Sequence, residues 1–535
     1  MRRALAAALC TSLLLAGCGR KREYPPPDRY VPADASLAVL VPALGTAARQ
    51  AGALYRTIAQ APQAVQLTEA HAGLKAQLGF DPLDPRGMEQ AGVDPAGAAA
   101  AALGSASPAL LVVPVQDLAK LDATLSRLAR DRMGATQRVT VQLRGVEVVT
   151  FRREGKGSAA LAYAAIGPHA LLASGPDAPE TVAAAATLPE DRSLWKSPAA
   201  ARAREALGAG FLVTVLAPGG STALADVRVA RDGAALGIRA ESTRLGLRLA
   251  LLLSPEREVW WKALRGEGPV DDGAVALIPP EAALVVRFAG DPAEATRRLE
   301  PWYPPEVKKA FAAQRLDPVT SLAPAFGPGG ALSLALAPTF TLTDFSSPRF
   351  DLRRVDPFSF VHLDAVLPVR DAAALRAFLA RLQKAGPRLS LKVAAHGPAT
   401  EPTGWTLSWG KAQLGLALSG ERLLVAGGAP RLAVLEARPA AGQGYAVPGV
   451  AARAALSSGL FGAVLDVEHL ARSVEALPEE AYGTGPNAVV MRSLVNRYLE
   501  PATALATVSL RLELSPGAAL VDLDVDGRSE PKPRP

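Results

Sequence analysis

The side chains able to do chemistry in this sequence are few and far apart. Its five histidines are His71, His169, His362, His396 and His469. No two stand three or four residues apart, the spacing that would place two ligands on one helix face. His362 and Asp364 lie two apart on an expected strand and so share a face, but a polar strand edge accounts for the pair as well as a metal does. The stretch Asp522-Leu-Asp524-Val-Asp526-Gly527 matches the first half of a calcium loop, whose twelfth position should be a bidentate Glu and is here Pro533. Strand alternation is the simpler reading: Val521, Leu523 and Val525 face the core and the carboxylates face water. There is no GxSxG elbow, no GxxxxGK[ST] phosphate loop and no GxGxxG between a strand and a helix. Gly155-Lys156-Gly157-Ser158 lacks the upstream glycine of a phosphate loop and falls between strands. Trp260-Trp261 and Trp302-Tyr303 read as packing aromatics. No catalytic residue, metal site or cofactor is expected from these positions.

The remaining reactive group is a thiol. Cys10 and Cys18 are the only cysteines, so the mature body has neither a disulfide framework nor a cysteine metal site. Met1-Arg2-Arg3 followed by the apolar run 4–16 has the form of an export signal, too short to span a bilayer as an ordinary helix. Its end, Leu15-Ala16-Gly17-Cys18, resembles the lipobox of bacterial lipoproteins. That resemblance implies that residues 1–17 are removed and that Cys18 carries diacylglycerol, so that the membrane is a partner through the lipid. Gly19 stands where an inner-membrane retention Asp would stand, which favours the outer membrane and a periplasmic orientation. Residues 18–30, with the run Pro25-Pro26-Pro27, read as an extended tether.

The elements that must position any site come from the body. A chain of 535 residues exceeds one ordinary hydrophobic core. With 49% hydrophobic and 20% charged residues it belongs with folded rather than disordered chains. The formal charge of +7 includes Arg2, Arg3, Arg20, Lys21 and Arg22 at the amino terminus. No basic run with interleaved aromatics marks a nucleic-acid surface.

One module occurs twice. Pro114-Val115-Gln116-Asp117, ending an apolar run and opening a helix with Leu121, Leu125 and Leu128, recurs as Pro368-Val369-Arg370-Asp371 with Leu375, Leu379 and Leu382. The offset is a constant 254 residues, the mark of an internal duplication. Each Asp is placed as a helix N-cap. Strand openings at Val31-Pro32-Ala33-Asp34 and Ile278-Pro279-Pro280-Glu281 extend the repeat, as do expected hairpins at 159–174 and 412–426. Helices are expected near 46–78, 199–207, 292–315 and 450–457, and closing strands in 225–253 and 506–526. The expected fold is α+β, in two tandem similar halves at 31–268 and 278–527, each a largely antiparallel sheet with helices on one face, followed by a polar tail at 528–535. The turn-rich stretch 266–273 is the join.

This order of elements resembles exported bacterial lipoproteins of a "domain of unknown function" family, which open with a Pro-Ala-Asp-type strand and carry the strand-Pro-Val-x-Asp-helix module. The resemblance implies no activity and no catalytic residues. The expected function is a non-enzymatic binding or scaffold protein of the cell envelope. The alternatives are a carrier for a lipid or other apolar ligand, and a hydrolase whose residues meet only in three dimensions. An envelope protein or an apolar ligand is the expected further partner.

Overall fold

The two recurring modules fold as their residues dictate. In the computed structural model Asp117 caps the helix Leu118–Met133, its carboxylate accepting from the Ala119 and Lys120 amides at 3.0 and 3.1 Å. Asp371 caps the helix Ala372–Ala385, accepting from the Ala374 amide at 2.9 Å. Each cap satisfies helix amides that have no partner of their own. The leucine stripe is then buried in both: Leu121 and Leu125 in the first, Leu375 and Leu379 in the second.

The structure describes residues 26–59, 64–103, 109–155, 158–219, 232–265, 273–300, 305, 309, 312, 316–342, 356–437, 444–499 and 502–528. Cys18 and its lipobox, Lys156-Gly157, Trp302-Tyr303, and all of the 266–273 join except Gly273 lie outside them. The chain packs as two units, Met1–Arg49 with Leu74–Ala201, and Gln50–Gly73 with Arg202–Pro535.

The first unit holds β1 (Leu37–Val41), β2 (Ala99–Leu103), β3 (Leu110–Pro114), β4 (Ala135–Leu143), β5 (Val146–Arg153), β6 (Ala159–Ile166) and β7 (His169–Ser174). They pair antiparallel in the order β4-β5-β6-β7-β3-β2-β1. The second unit holds β8 (Val213–Pro218), β9 (Gly233–Ala240), β10 (Arg244–Leu252), β11 (Leu284–Phe288), β12 (Gly330–Leu336), β13 (Val361–Pro368) and β14 (Lys392–His396). It also holds β15 (Gly404–Trp409), β16 (Ala412–Ser419), β17 (Arg422–Gly427), β18 (Phe461–Asp466), β19 (Leu505–Ser515) and β20 (Ala518–Gly527). Their order is β8-β9-β10-β20-β19-β18-β11-β12-β13-β17-β16-β15-β14, antiparallel throughout. The fold is therefore α+β and built on antiparallel sheet. Each pairing among β1–β7, and each among β8–β10, has a counterpart ten strands later.

Two expectations need correction. Helices do not keep to one face. Val366, Leu424 and Ala426 pack toward Leu435, Ala452 and Leu456, from the helices Ala429–Glu436 and Val450–Ser457. Their neighbours Ala365, Leu423 and Val425 pack on the opposite face against Leu375, Phe378 and Leu379. β13 and β17 are apolar at successive positions, and a strand apolar on both sides must be covered on both. The tether also ends earlier than expected. Pro27–Tyr30 form a packed 3-10 turn in which Pro27, Asp28 and Tyr30 are buried, proline being tolerated in a first turn that needs no donor from it.

Candidate functional site

The strands β9, β10, β20, β19 and β18 of the second unit are strongly two-sided: Arg and Asp alternate with Leu and Val along β10, β20 and β19, flanked on the charged side by Gly237 and Arg239 of β9 and Gly462 of β18. On one side the register sets Arg248 opposite Asp522 and Asp522 opposite Arg511. Asp522 is 9% exposed. Arg248 grips it from Nε at 2.6 Å and Nη2 at 3.1 Å, and Arg511 from Nη2 at 2.7 Å. Burial opposes ionisation of Asp522, but the hydrogen bonds from Arg248 and Arg511 outweigh it and hold the carboxyl below its ordinary range. Arg244 donates to Asp524 at 2.6 Å and lies 3.5 Å from Asp526.

The expectation that these carboxylates face water is thus corrected at Asp522. The Asp522–Asp526 stretch is a strand whose acids are held by arginines, and a cation would have to displace those guanidinium groups. Beside this ladder lies a cavity of about 160 Å³, roofed by Ala451, Ala454 and Ala455 of the helix Val450–Ser457. Gly246 leaves its floor open, since a Cβ there would stand 3.0 Å from Asp524 Oδ1. Arg239 reaches the cavity with its guanidinium 4.2 Å from the centre of the Phe211 ring.

The opposite face of the same strands carries no polar side chain. One row of register partners runs Val213, Ile238, Leu247, Leu523, Leu510, Ala463, Val286, Leu332 from β8 to β12. All eight are half-buried rather than buried. The row continues through Ala365, Val425, Leu416 and Trp405, and there it is buried, packed against the helix Ala372–Ala385. Parallel rows pass through Leu245, Val525, Val508 and Leu465, and through Leu249, Val521, Leu512 and Phe461. At the β12 end Leu336 packs with Val474 and Tyr482. The first unit shows the same pattern by itself. Leu172, Tyr163 and Val149 pack against the helix Leu118–Met133, while in the same row Leu111 is 43% exposed.

The other sequence candidates are placed as follows. Asp364, with its side chain 1% exposed, receives Arg431 from Nη2 at 2.6 Å, and Arg431 also donates to Glu281. The His362–Asp364 pair is therefore part of an ion-pair network, in which burial first, and the Arg431 charge second, push the His362 imidazole below its ordinary pKa. His169 is fully buried beside Tyr30, with ring centres 5.7 Å apart. His71 lies 4.5 Å from the Tyr55 ring, His396 bonds Thr406 at 2.8 Å, and the His469 amide donates to Asp466. Among the described residues no group of three or more His, Cys, Asp or Glu is placed to hold a metal, and no helix is long and apolar enough to cross a membrane. Trp260 and Trp261 meet edge to face at 5.4 Å on the helix Pro255–Arg265. Sequence reading missed the arginine ladder. Its signal was Arg244-Leu-Gly-Leu-Arg248, two arginines four apart on one face of a strand, complementary to the period-two acids of β20.

No family model matches the chain, and no curated protein matches it. Among solved structures, TP0453 in crystal form III is similar over 47% of this chain and 91% of that one, with 11% identity and a TM-score of 0.25. TP0453 in crystal form I is similar over 44% and 81%, with 12% identity and a TM-score of 0.24. Likeness at this level carries no argument about fold or function.

Proposed function

We propose that the chain is a lipid-anchored protein of the bacterial cell envelope, held to the outer membrane on its periplasmic side by acyl chains on Cys18, and that it acts by binding rather than by turnover. The observation that carries the binding half is the two-sidedness of the central strands. Their charged groups are committed to one another, while the opposite side of the same strands carries apolar, half-buried side chains. The anchoring half rests on Leu15-Ala16-Gly17-Cys18, since more than one acyl chain is enough for stable anchoring. Of the alternatives, the apolar side of these strands favours a carrier of an apolar ligand over a hydrolase.

Cys18→Ser tests the anchor. The wild-type chain should fractionate with membranes and yield an amino-terminal peptide carrying the mass of its acyl groups, whereas the variant should be an unprocessed or soluble precursor. Unchanged fractionation and an unchanged amino terminus in the variant would refute it. A panel of ester, peptide, glycoside and phosphate substrates tests the other half: no turnover is expected. Saturable turnover abolished by changing one histidine would restore the hydrolase.

A further inference from the structure

We propose that the cavity over Gly246, on the charged side of the second unit's strands, binds one hydrogen phosphate ion. The site lies wholly within that unit and depends on neither the anchor nor the apolar side of the strands. One row of register partners runs Arg239, Gly246, Asp524, Ser509 across β9, β10, β20 and β19. In the neighbouring row Gly237 and Gly462 also lack a side chain, but there the room is taken, by the Phe211 ring and by the Ala455 carbonyl. Over Gly246 it is not: the nearest groups to a Cβ would be Asp524 Oδ1 at 3.0 Å and Arg239 Cβ at 3.7 Å. The volume is about 160 Å³. A cavity of about that size holds one benzene molecule, and a phosphate ion is slightly smaller.

The groups left unspent around this space are mostly donors. Arg239 gives Nη2 to the Ala209 carbonyl at 3.2 Å and lies over the Phe211 ring, and no carboxylate among the described residues pairs with it. Its Nε and Nη1 remain for a ligand. Ser509 borders the cavity at 2% exposure and makes no side-chain hydrogen bond among the described residues, although a hydroxyl so buried ordinarily has a partner. The helix Val450–Ser457 begins over the cavity at Val450 and Ala451, with no side-chain cap from Gly449, and the positive end of a helix favours an anion. Arg248 and Arg511, in contrast, are spent on Asp522, the Leu207 carbonyl and Ser458 Oγ. The further acids nearby, Glu241, Glu513 and Asp526, do not line the cavity.

Asp524 selects the anion. Arg244 holds it through Oδ1 alone, from Nε at 3.1 Å and Nη2 at 2.6 Å, so Oδ2 is an acceptor without a donor among the described residues. An ionised carboxylate can only accept. It repels an oxyanion that has lost every proton, as sulfate has, and accepts from one that keeps a proton at neutral pH, as hydrogen phosphate does. Arg239, Ser509 and the helix start then serve the remaining phosphate oxygens, guanidinium being suited to them by its planar fork.

The test is calorimetric titration of the full-length chain in detergent, at constant ionic strength, with inorganic phosphate, sulfate and phenyl phosphate in turn. At about pH 7.5 a phosphate monoester has lost the proton that Asp524 would accept. Inorganic phosphate should bind once per chain, and both other anions more weakly by about tenfold or more, the loss of one hydrogen bond to a charged group. Arg239→Gln and Ser509→Ala should each weaken phosphate binding by about tenfold for the same reason. Arg453→Gln, at an exposed position of the same helix outside the cavity lining, should leave it unchanged. No saturable binding, sulfate or phenyl phosphate bound as tightly as phosphate, unchanged affinity in both cavity variants, or an equal loss in Arg453→Gln would each overturn the proposal. Should a variant fail to fold, the wild-type selectivity still decides. Membrane fractionation reports the anchor separately: phosphate bound by an unanchored chain overturns only the anchoring, and an anchored chain that binds no phosphate overturns only this site.

Discussion

Asp522 shows how a side chain can look like a ligand in the sequence and be a structural counter-ion in the fold. Removing it would leave Arg248 and Arg511 facing each other across one strand. Asp522→Ala should therefore cost about 3 kcal/mol in urea unfolding, the low end of the ~3–5 kcal/mol lost when one partner of a buried pair is deleted, because Arg248 and Arg511 remain 22% and 19% exposed. Its carboxyl is depressed in the folded state, so its stabilisation is present above the unfolded value near 3.9 and is lost as pH falls through the folded one. His169 acts at higher pH. Burial lowers its pKa, so below about 6.5 the unfolded chain takes up a proton that the folded chain refuses, and stability declines. Unfolding midpoints at pH 7.5 and 5.5 should differ less in His169→Phe than in the wild type. An equal difference would remove His169 as the cause. The pairing of Asp522 was hidden from sequence because its partners lie 274 and 11 residues away. The proposed role of Cys18, in contrast, rests on four consecutive residues, because an export motif is read before the chain folds.

At the scale of elements, the strand-Pro-Val-x-Asp-helix module was legible because everything that shapes it is local: a proline closing the strand, a carboxylate at the cap and a leucine every fourth residue. Asp117→Ala and Asp371→Ala should each cost about 0.5–2 kcal/mol, measured by chemical unfolding. A loss near zero at either would mean that the cap is replaced by another acceptor. The hairpin β4–β5 was overlooked although its turn was written in the sequence: Arg144 and Gly145 both take positive φ, 53° and 77°, as a two-residue turn between antiparallel strands requires. β4 is mostly exposed and carries no apolar run to announce it. The covering of both faces was not legible either. Period two says that a strand has two sides, and it does not say which helix will lie on each.

At the scale of the molecule, one topology is written twice. Val31 accepts from the Leu194 amide at 2.7 Å and Ile278 from the Tyr445 amide at 2.9 Å, immediately ahead of the equivalent strands β1 and β11. The packed units do not coincide with the expected halves 31–268 and 278–527, since they part at 201–202; the duplication is a proposal that the recurrent pairings support. In each unit, taken by itself, an Asp-capped helix covers one end of the sheet. The central claim is the proposal that acyl groups on Cys18 hold the chain to a membrane. The decisive measurement is the mass of the amino-terminal peptide from membranes of cells expressing the full-length chain or its Cys18→Ser variant. The account predicts a peptide that begins at Cys18 and carries the mass of its acyl groups in the wild type and no such peptide in the variant. An unmodified amino terminus in the membrane-bound wild-type chain would contradict it.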